Sequence, residues 1–115
     1  MIEILRITPR ARWYQAVADG EYRGDDLAAE GFIHALTLEQ LGFVVGKFYR
    51  GRTDLVVLRI DPDTLKSPVK WENPHPTWKL FPHIYGPINI EAVVEVIPLE
   101  DLLAQAGDAV SPGRQ

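Results

Sequence analysis

The chain has no cysteine. Disulfides, thiolate zinc sites, iron–sulfur clusters and thiol nucleophiles are therefore excluded. Long hydrophobic runs are missing too: nothing approaches the roughly 20 apolar residues that cross a bilayer. The opening Met1-Ile2-Glu3-Ile4-Leu5-Arg6 lacks the basic and apolar regions of a secretory signal, so the expectation is a cytoplasmic protein with no membrane partner. Positive charge is scarce, with 12 Lys and Arg against 16 Asp and Glu, a net charge of −4. The basic residues are scattered, which argues against a duplex nucleic acid partner. There is no Gly-x-Gly-x-x-Gly, Walker loop, Gly-x-Ser-x-Gly or His-Glu-x-x-His. P-loop hydrolysis and serine esterase chemistry thus have no support.

What is present fits one soluble α+β domain with mixed or antiparallel sheets. The 115 residues contain 46% hydrophobic and 24% charged residues, close to an average globular chain. Residues 1–107 are expected to form the domain. Residues 108–115, small and polar, are expected to be a disordered tail.

Ile2–Ile7 reads as a first strand, and Thr8-Pro9 as a cap and first position for a helix over 9–19 ended by Gly20. Glu21–Glu30 reads as a polar turn and Gly31–Leu36 as a short strand. Thr37 with Gln40 forms a capping box. It opens a helix over 38–49 whose Leu38, Leu41, Val44, Val45 and Phe48 lie on one apolar stripe. Gly42 and Gly46 on that helix permit a close backbone approach. Leu55-Val56-Val57-Leu58 predicts a central strand buried on both faces. Val69–Glu72 and Ile90–Ile97 read as further strands, the latter with Glu91 and Glu95 on one face. Asn73–Pro87, rich in proline and aromatics, reads as irregular. Leu99, Leu102, Leu103 and Ala106 predict a last helix ending at Gly107.

Few residues in this pattern can carry chemistry. His34 ends an apolar strand, where a histidine is either a hydrogen-bonded half-core group or a rigidly placed site residue. His83 and Tyr85 share a face of Phe81-Pro82-His83-Ile84-Tyr85-Gly86-Pro87 if that segment is extended. Prolines either merely shape this connection or stiffen it as a binding loop. His75, between two prolines, reads as exposed. The three histidines match no compact ligand spacing, so no metal is expected. Glu72 follows Trp71; it is either an ordinary surface glutamate or, if desolvated beside the indole, an acid–base candidate with a raised pKa. Arg6, the one charge within its strand, is placed to clamp a phosphate or carboxylate, or to snorkel at a sheet edge. Lys47, Arg50 and Arg52 flank Tyr49 as a solvated helix end or a small phosphate patch. These residues predict a pocket lined by His34 and His83, with Tyr85 at its wall and Glu72 or Arg6 within reach. The Trp71–Tyr85 stretch offers another use, as an aromatic partner surface.

Four segments occur in a recognisable order: Gly20-Glu21-Tyr22, Gly31-Phe32-Ile33-His34 with Gln40 behind it, Leu58-Arg59-Ile60-Asp61, and Phe81-Pro82-His83-Ile84-Tyr85-Gly86-Pro87. Together, over Ile2–Pro98, they resemble a small bacterial domain-of-unknown-function family with Gly-Phe-Ile-His and Phe-Pro-His-Leu-Tyr-Gly-Pro segments. That family resembles the ADP-ribosyltransferase fold, a pair of small sheets around a nicotinamide-dinucleotide cleft. The resemblance implies a nucleotide-like ligand such as NAD or ADP-ribose, bound by Arg6, His34, His83 and Tyr85. It implies ADP-ribosyl transfer with Glu72, His34 and His83 as catalytic groups, or a binding module that has lost the chemistry. Arg6 then takes the first-strand role, where relatives carry histidine, and Glu72 the acidic one.

Overall fold

The structure, a computed structural model, describes residues 3–73 and 79–110. The strands are β1 (Ile4–Pro9), β2 (Glu21–Tyr22), β3 (Ile33–His34), β4 (Leu55–Ile60), β5 (Val69–Glu72), β6 (Phe81–Ile84), β7 (Ile88–Asn89) and β8 (Val93–Pro98). The helices are α1 (Arg10–Asp19), α2 (Gly24–Glu30), α3 (Leu41–Phe48) and α4 (Leu99–Val110), with 3₁₀ turns at Leu38–Gln40 and Ile90–Ala92. Three small sheets form, in strand orders β1-β4-β8, β3-β6-β5 and β2-β7. Every pairing among the described residues is antiparallel, so the sheets are not mixed.

β4 is the central strand of the first sheet, as its unbroken apolar run requires. Successive strand side chains point to opposite faces, so β4 feeds two cores. Val56, Leu58 and Ile60 join Ile4, Tyr22, Ile33 and Ile84 on one side. Leu55 and Val57 join Leu5, Ile7, Leu36 and Leu41 on the other. The first two sheets meet where Leu5 and Leu36 exchange backbone hydrogen bonds at 2.7 and 2.9 Å. That junction fixes β3 beside β1.

Several local expectations change. Thr8 does not cap α1, whose cap is Pro9 without a side-chain bond. Thr8 is instead buried at the strand end, where its Oγ1 accepts from the Tyr22 hydroxyl at 2.7 Å. The polar 21–30 segment holds α2 rather than a turn; the Asp25 and Asp26 carboxylates in its first turn suit the helix dipole. The Thr37–Gln40 capping box is present, but it opens a 3₁₀ turn before α3. That tighter turn puts Leu38 out of phase with the stripe below it, and Leu38 is exposed. Leu41, Val44 and Val45 pack on the sheet. Phe48 is 60% exposed and lines the cleft described below rather than the core. No backbone approaches Gly42 or Gly46 closely; an added Cβ there meets open space or only the Arg50 side chain at 4.0 Å.

β6 lies within the stretch that reads as irregular, because its backbone pairs with β3 and β5 on both sides. Residues 90–92 form a 3₁₀ turn, so Glu91 lies outside β8, while Glu95 in β8 binds Arg59 at 3.1 Å. α4 runs to Val110, three residues beyond the expected domain boundary. The rest of the expected tail, like His75, lies outside the described residues. Among the described residues no helix is long and apolar enough to cross a membrane.

Candidate functional site

His34 on β3 and His83 on β6 are direct cross-strand partners. In an antiparallel ladder, such partners point the same way. Their rings therefore meet edge to face with centroids 5.4 Å apart. Phe32 and Tyr85 lie on the same face by alternation. Phe32 stacks on His83 at 4.2 Å and meets His34 edge-on at 4.9 Å. Its phenyl plate holds both imidazoles in place. Ile33 and Ile84 point the other way into the core. This alternation of core and site residues places the pair on paired strands, His34 at the end of β3 and His83 within β6.

Each imidazole is held by its own carboxylate. His83 Nδ1 lies 2.7 Å from Glu72 Oε1, which also accepts from the Tyr85 hydroxyl at 2.7 Å. Glu72 reaches both from β5, two residues beyond Lys70, which is directly opposite His83. The Lys70 ammonium sits 4.8 Å from the centre of the Tyr85 ring. His34 Nδ1 lies 3.0 Å from Asp26 Oδ2, and the same oxygen accepts the His34 backbone N–H at 2.9 Å. The two histidines differ in access: the His83 side chain is 3% exposed and that of His34 47%.

Glu72 does not carry the raised pKa that its tryptophan neighbour predicts. The Tyr85 and His83 hydrogen bonds hold its carboxyl below the ordinary value, while the tyrosine is pushed up by the same bond. The reason is geometric. Adjacent strand residues face opposite ways, so Trp71 cannot cover the Glu72 carboxylate.

Arg6 is committed to the fold's own acceptors. Its Nε donates to the Tyr22 hydroxyl at 3.0 Å, and one terminal nitrogen to Asp26 Oδ2 at 2.8 Å and the His34 carbonyl at 2.9 Å. The other nitrogen reaches Asp26 Oδ1 at 3.4 Å. Four of its five guanidinium N–H groups are thereby used. Burial works against the Arg6 charge, but Tyr22 and Asp26 more than compensate and raise its pKa. Arg6 thus ties β1, β2, α2 and β3 together beneath His34. Gly24 is required here. Its φ is +72°, and a Cβ would meet Asp26 Oδ1 at 2.8 Å and an Arg6 nitrogen at 3.2 Å.

Burial pushes the Asp26 carboxyl up, yet the His34 hydrogen bonds and the Arg6 charge outweigh it and hold the group at about 2, against an ordinary 3.8. The folded state therefore binds this proton more weakly than the unfolded chain. The resulting stability is complete above about pH 5 and drains away as the pH falls towards about 2. After allowance for solvent screening we expect it to be worth about 1–2 kcal/mol. Urea melts across this range should show a shallower acid dependence for Asp26→Asn than for the unaltered chain. Parallel profiles would contradict the assignment.

The pair opens into a cleft of about 540 Å³ between the sheet junction and α3. His34, His83, Arg6, Asp25 and Asp26 line one side, and Phe43, Lys47, Phe48 and Tyr49 the other. Asp25 is ion-paired with Arg12. The Lys47 ammonium lies 5.8 Å and 5.9 Å from the ring centres of Phe43 and Phe48. Of the residues singled out in the sequence, His34, His83, Arg6, Lys47 and Tyr49 share this cleft. Tyr85 and Glu72 are not among its lining residues and act on it through His83. Sequence reasoning did not assign Asp26, Tyr22, Phe32, Phe43 or Phe48 to the site. Only Phe32 left a signal, two residues before His34 on the same face of an alternating strand. Among the described residues, no group of three or more His, Asp or Glu is arranged to hold a metal.

Comparison with known proteins gives a family and a fold. Residues 7–96 match the model of a family described as "Protein of unknown function (DUF952)". The crystal structure of protein CC0527 from Caulobacter crescentus superposes with a TM-score of 0.75 at 32% identity, over 89% of this chain and 98% of that one. Its solution structure gives 0.74 at 30% identity, over 97% and 99%. No curated protein matches.

Proposed function

This chain belongs to the DUF952 family, and we propose that its cleft binds a nucleotide of the ADP-ribose or NAD type. One observation carries the reading: an aromatic wall faces two oriented imidazoles across a single cleft. The volume, about 540 Å³, falls in the range of small-molecule sites. Phe48 and Tyr49 offer π faces to a base, Lys47 a cation to a phosphate, and the imidazoles hydrogen bonds to ribose hydroxyls or phosphate oxygens. Two small antiparallel sheets joined beside a cleft also suit an ADP-ribosyltransferase-like architecture. The reading places the protein in the cytoplasm, where such nucleotides are available.

Glu72 favours binding over ADP-ribosyl transfer. For transfer, a carboxylate must face the developing charge on the ribose. Here Glu72 is occupied by His83 and Tyr85 and lies outside the cleft lining. Thermal melts with ADP-ribose and NAD test the reading. A ligand at 100 times its Kd adds about 2.7 kcal/mol to the folded state, which should raise the melting temperature by about 10 °C. His34→Ala should reduce that gain without loss of the fold. Nicotinamide released from NAD would establish transfer. No shift with either nucleotide at millimolar concentration would refute the reading.

A further inference from the structure

We propose that His34 and His83 form a general acid–base couple that hydrolyses a ribose phosphodiester of the cyclic 2′,3′ type. The inference rests on the nucleotide reading of the cleft and adds a reaction to it. Its basis is the duplication: two imidazoles in one cleft, 5.4 Å apart, each with Nδ1 held by a separate carboxylate. A binding site needs one oriented donor or acceptor per ligand atom. Two independently buttressed imidazoles at this distance provide a proton acceptor and a proton donor for one reacting centre.

With Nδ1–H given to the carboxylate, Nε2 is the ring nitrogen left for chemistry in both residues. The couple requires both Nε2 atoms to reach, at about 2.6–3.2 Å, two oxygens on one phosphorus, a span compatible with ring centroids 5.4 Å apart. In the proposed step a water oxygen attacks phosphorus, and its proton passes to Nε2 of one imidazole. The bond from phosphorus to one ribose oxygen breaks, and that oxygen takes the Nε2 proton of the other, protonated ring. One water is consumed, a monoester and a free hydroxyl are formed, and the two rings exchange protonation states. A proton exchanged with solvent through the more exposed His34 restores them. No oxidant or reductant is required. Lys47, across the cleft, offers the charge that steadies the phosphoryl oxygens.

The surroundings of the two rings differ, as an acid–base couple needs. His34 faces Asp26 and, at Nε2, Glu30 at 3.7 Å, above the Arg6 guanidinium. His83 faces Glu72, with Lys70 opposite it on β5 and Tyr85 on the same carboxylate. Asp26 and Glu72 are positioning residues in this scheme.

The test is turnover of adenosine 2′,3′-cyclic phosphate by the full chain, followed by phosphorus NMR, beside thermal melts with ADP-ribose. The expected result is a monophosphate product and a bell-shaped pH profile of kcat/KM. His34→Gln and His83→Gln should each lower kcat about 100-fold or more. If His83→Gln does not fold, Glu72→Gln decides. Its carboxylate is part-exposed, and its loss should move one limb of the pH profile and lower kcat while KM holds. No product, or a rate indifferent to His34→Gln or with an unmoved profile in Glu72→Gln, overturns the couple. Stabilisation by ADP-ribose without cleavage would end this inference and leave the binding reading intact. Cleavage without any ADP-ribose stabilisation would do the reverse.

Discussion

Replacing Leu58 with alanine is expected to lower the unfolding free energy by about 2–5 kcal/mol, the range for truncating a leucine in a packed core. Leu58 is 0% exposed and sits in the middle of the central strand, with Arg6 opposite on one side and Val96 on the other. Its side chain packs in the core that also holds Ile4, Tyr22, Ile33 and Ile84. Those residues come from β1, β2, β3 and β6, so the cavity would be walled by four strands that cannot all collapse inward. The poorer the collapse, the larger the residual void and the cost. Because β3 and β6 carry the two imidazoles, the same variant should also loosen the His34–His83 pair. Denaturant melts would measure the loss, and a value below about 0.5 kcal/mol would mean that the core is not where the structure puts it.

Removing Arg6 is the second large effect. Arg6→Ala leaves the Asp26 carboxylate without its countercharge and strips a donor from the His34 carbonyl and from the Tyr22 hydroxyl. The Arg6 and Asp26 side chains are only 12% exposed. Breaking a buried pair on one side costs about 3–5 kcal/mol. The residual solvent contact puts the expected loss at the lower end, about 3 kcal/mol. Arg6→Lys should recover less than half of it, because one ammonium cannot replace a planar fork serving three acceptors on separate elements. The Asp26 carboxyl should also move up towards its ordinary value, so acid unfolding would begin at higher pH than in the unaltered chain. Full rescue by lysine would show that charge alone matters there, and that the fork geometry does not.

Arg6 also marks the boundary between what was legible and what was not. Periodicity and short-range hydrogen bonding are local, so features built from them were readable. The run Leu55–Leu58, bounded by turn residues, read as a strand buried on both sides. Gly20 ended α1 in the left-handed region, at φ +90°. The Thr37–Gln40 box began a helical turn, and alternation put His83 and Tyr85 on one face. The convergence of His34 with His83 was legible from their positions at element ends, though their distance was not.

Tertiary structure decided the rest, because the deciding contacts join residues far apart in the chain. Arg6 meets Asp26 across 20 positions and His34 across 28, and no spacing rule reports such a pair. Asp26 looked like a turn residue until α2 packed beside β3 and buried its carboxylate under two hydrogen bonds from His34. Glu72 looked like either a surface glutamate or an acid raised by an indole, until cross-strand register gave it to His83 and Tyr85 and turned its shift downward. Phe48 looked like core, since the helical period is the same whether a stripe rests on a sheet or overhangs a cleft. By itself the sequence determined which residues alternate, cap and cluster. Burial and register, which depend on the whole chain closing on itself, determined which charges are paired and which side chains face the cleft.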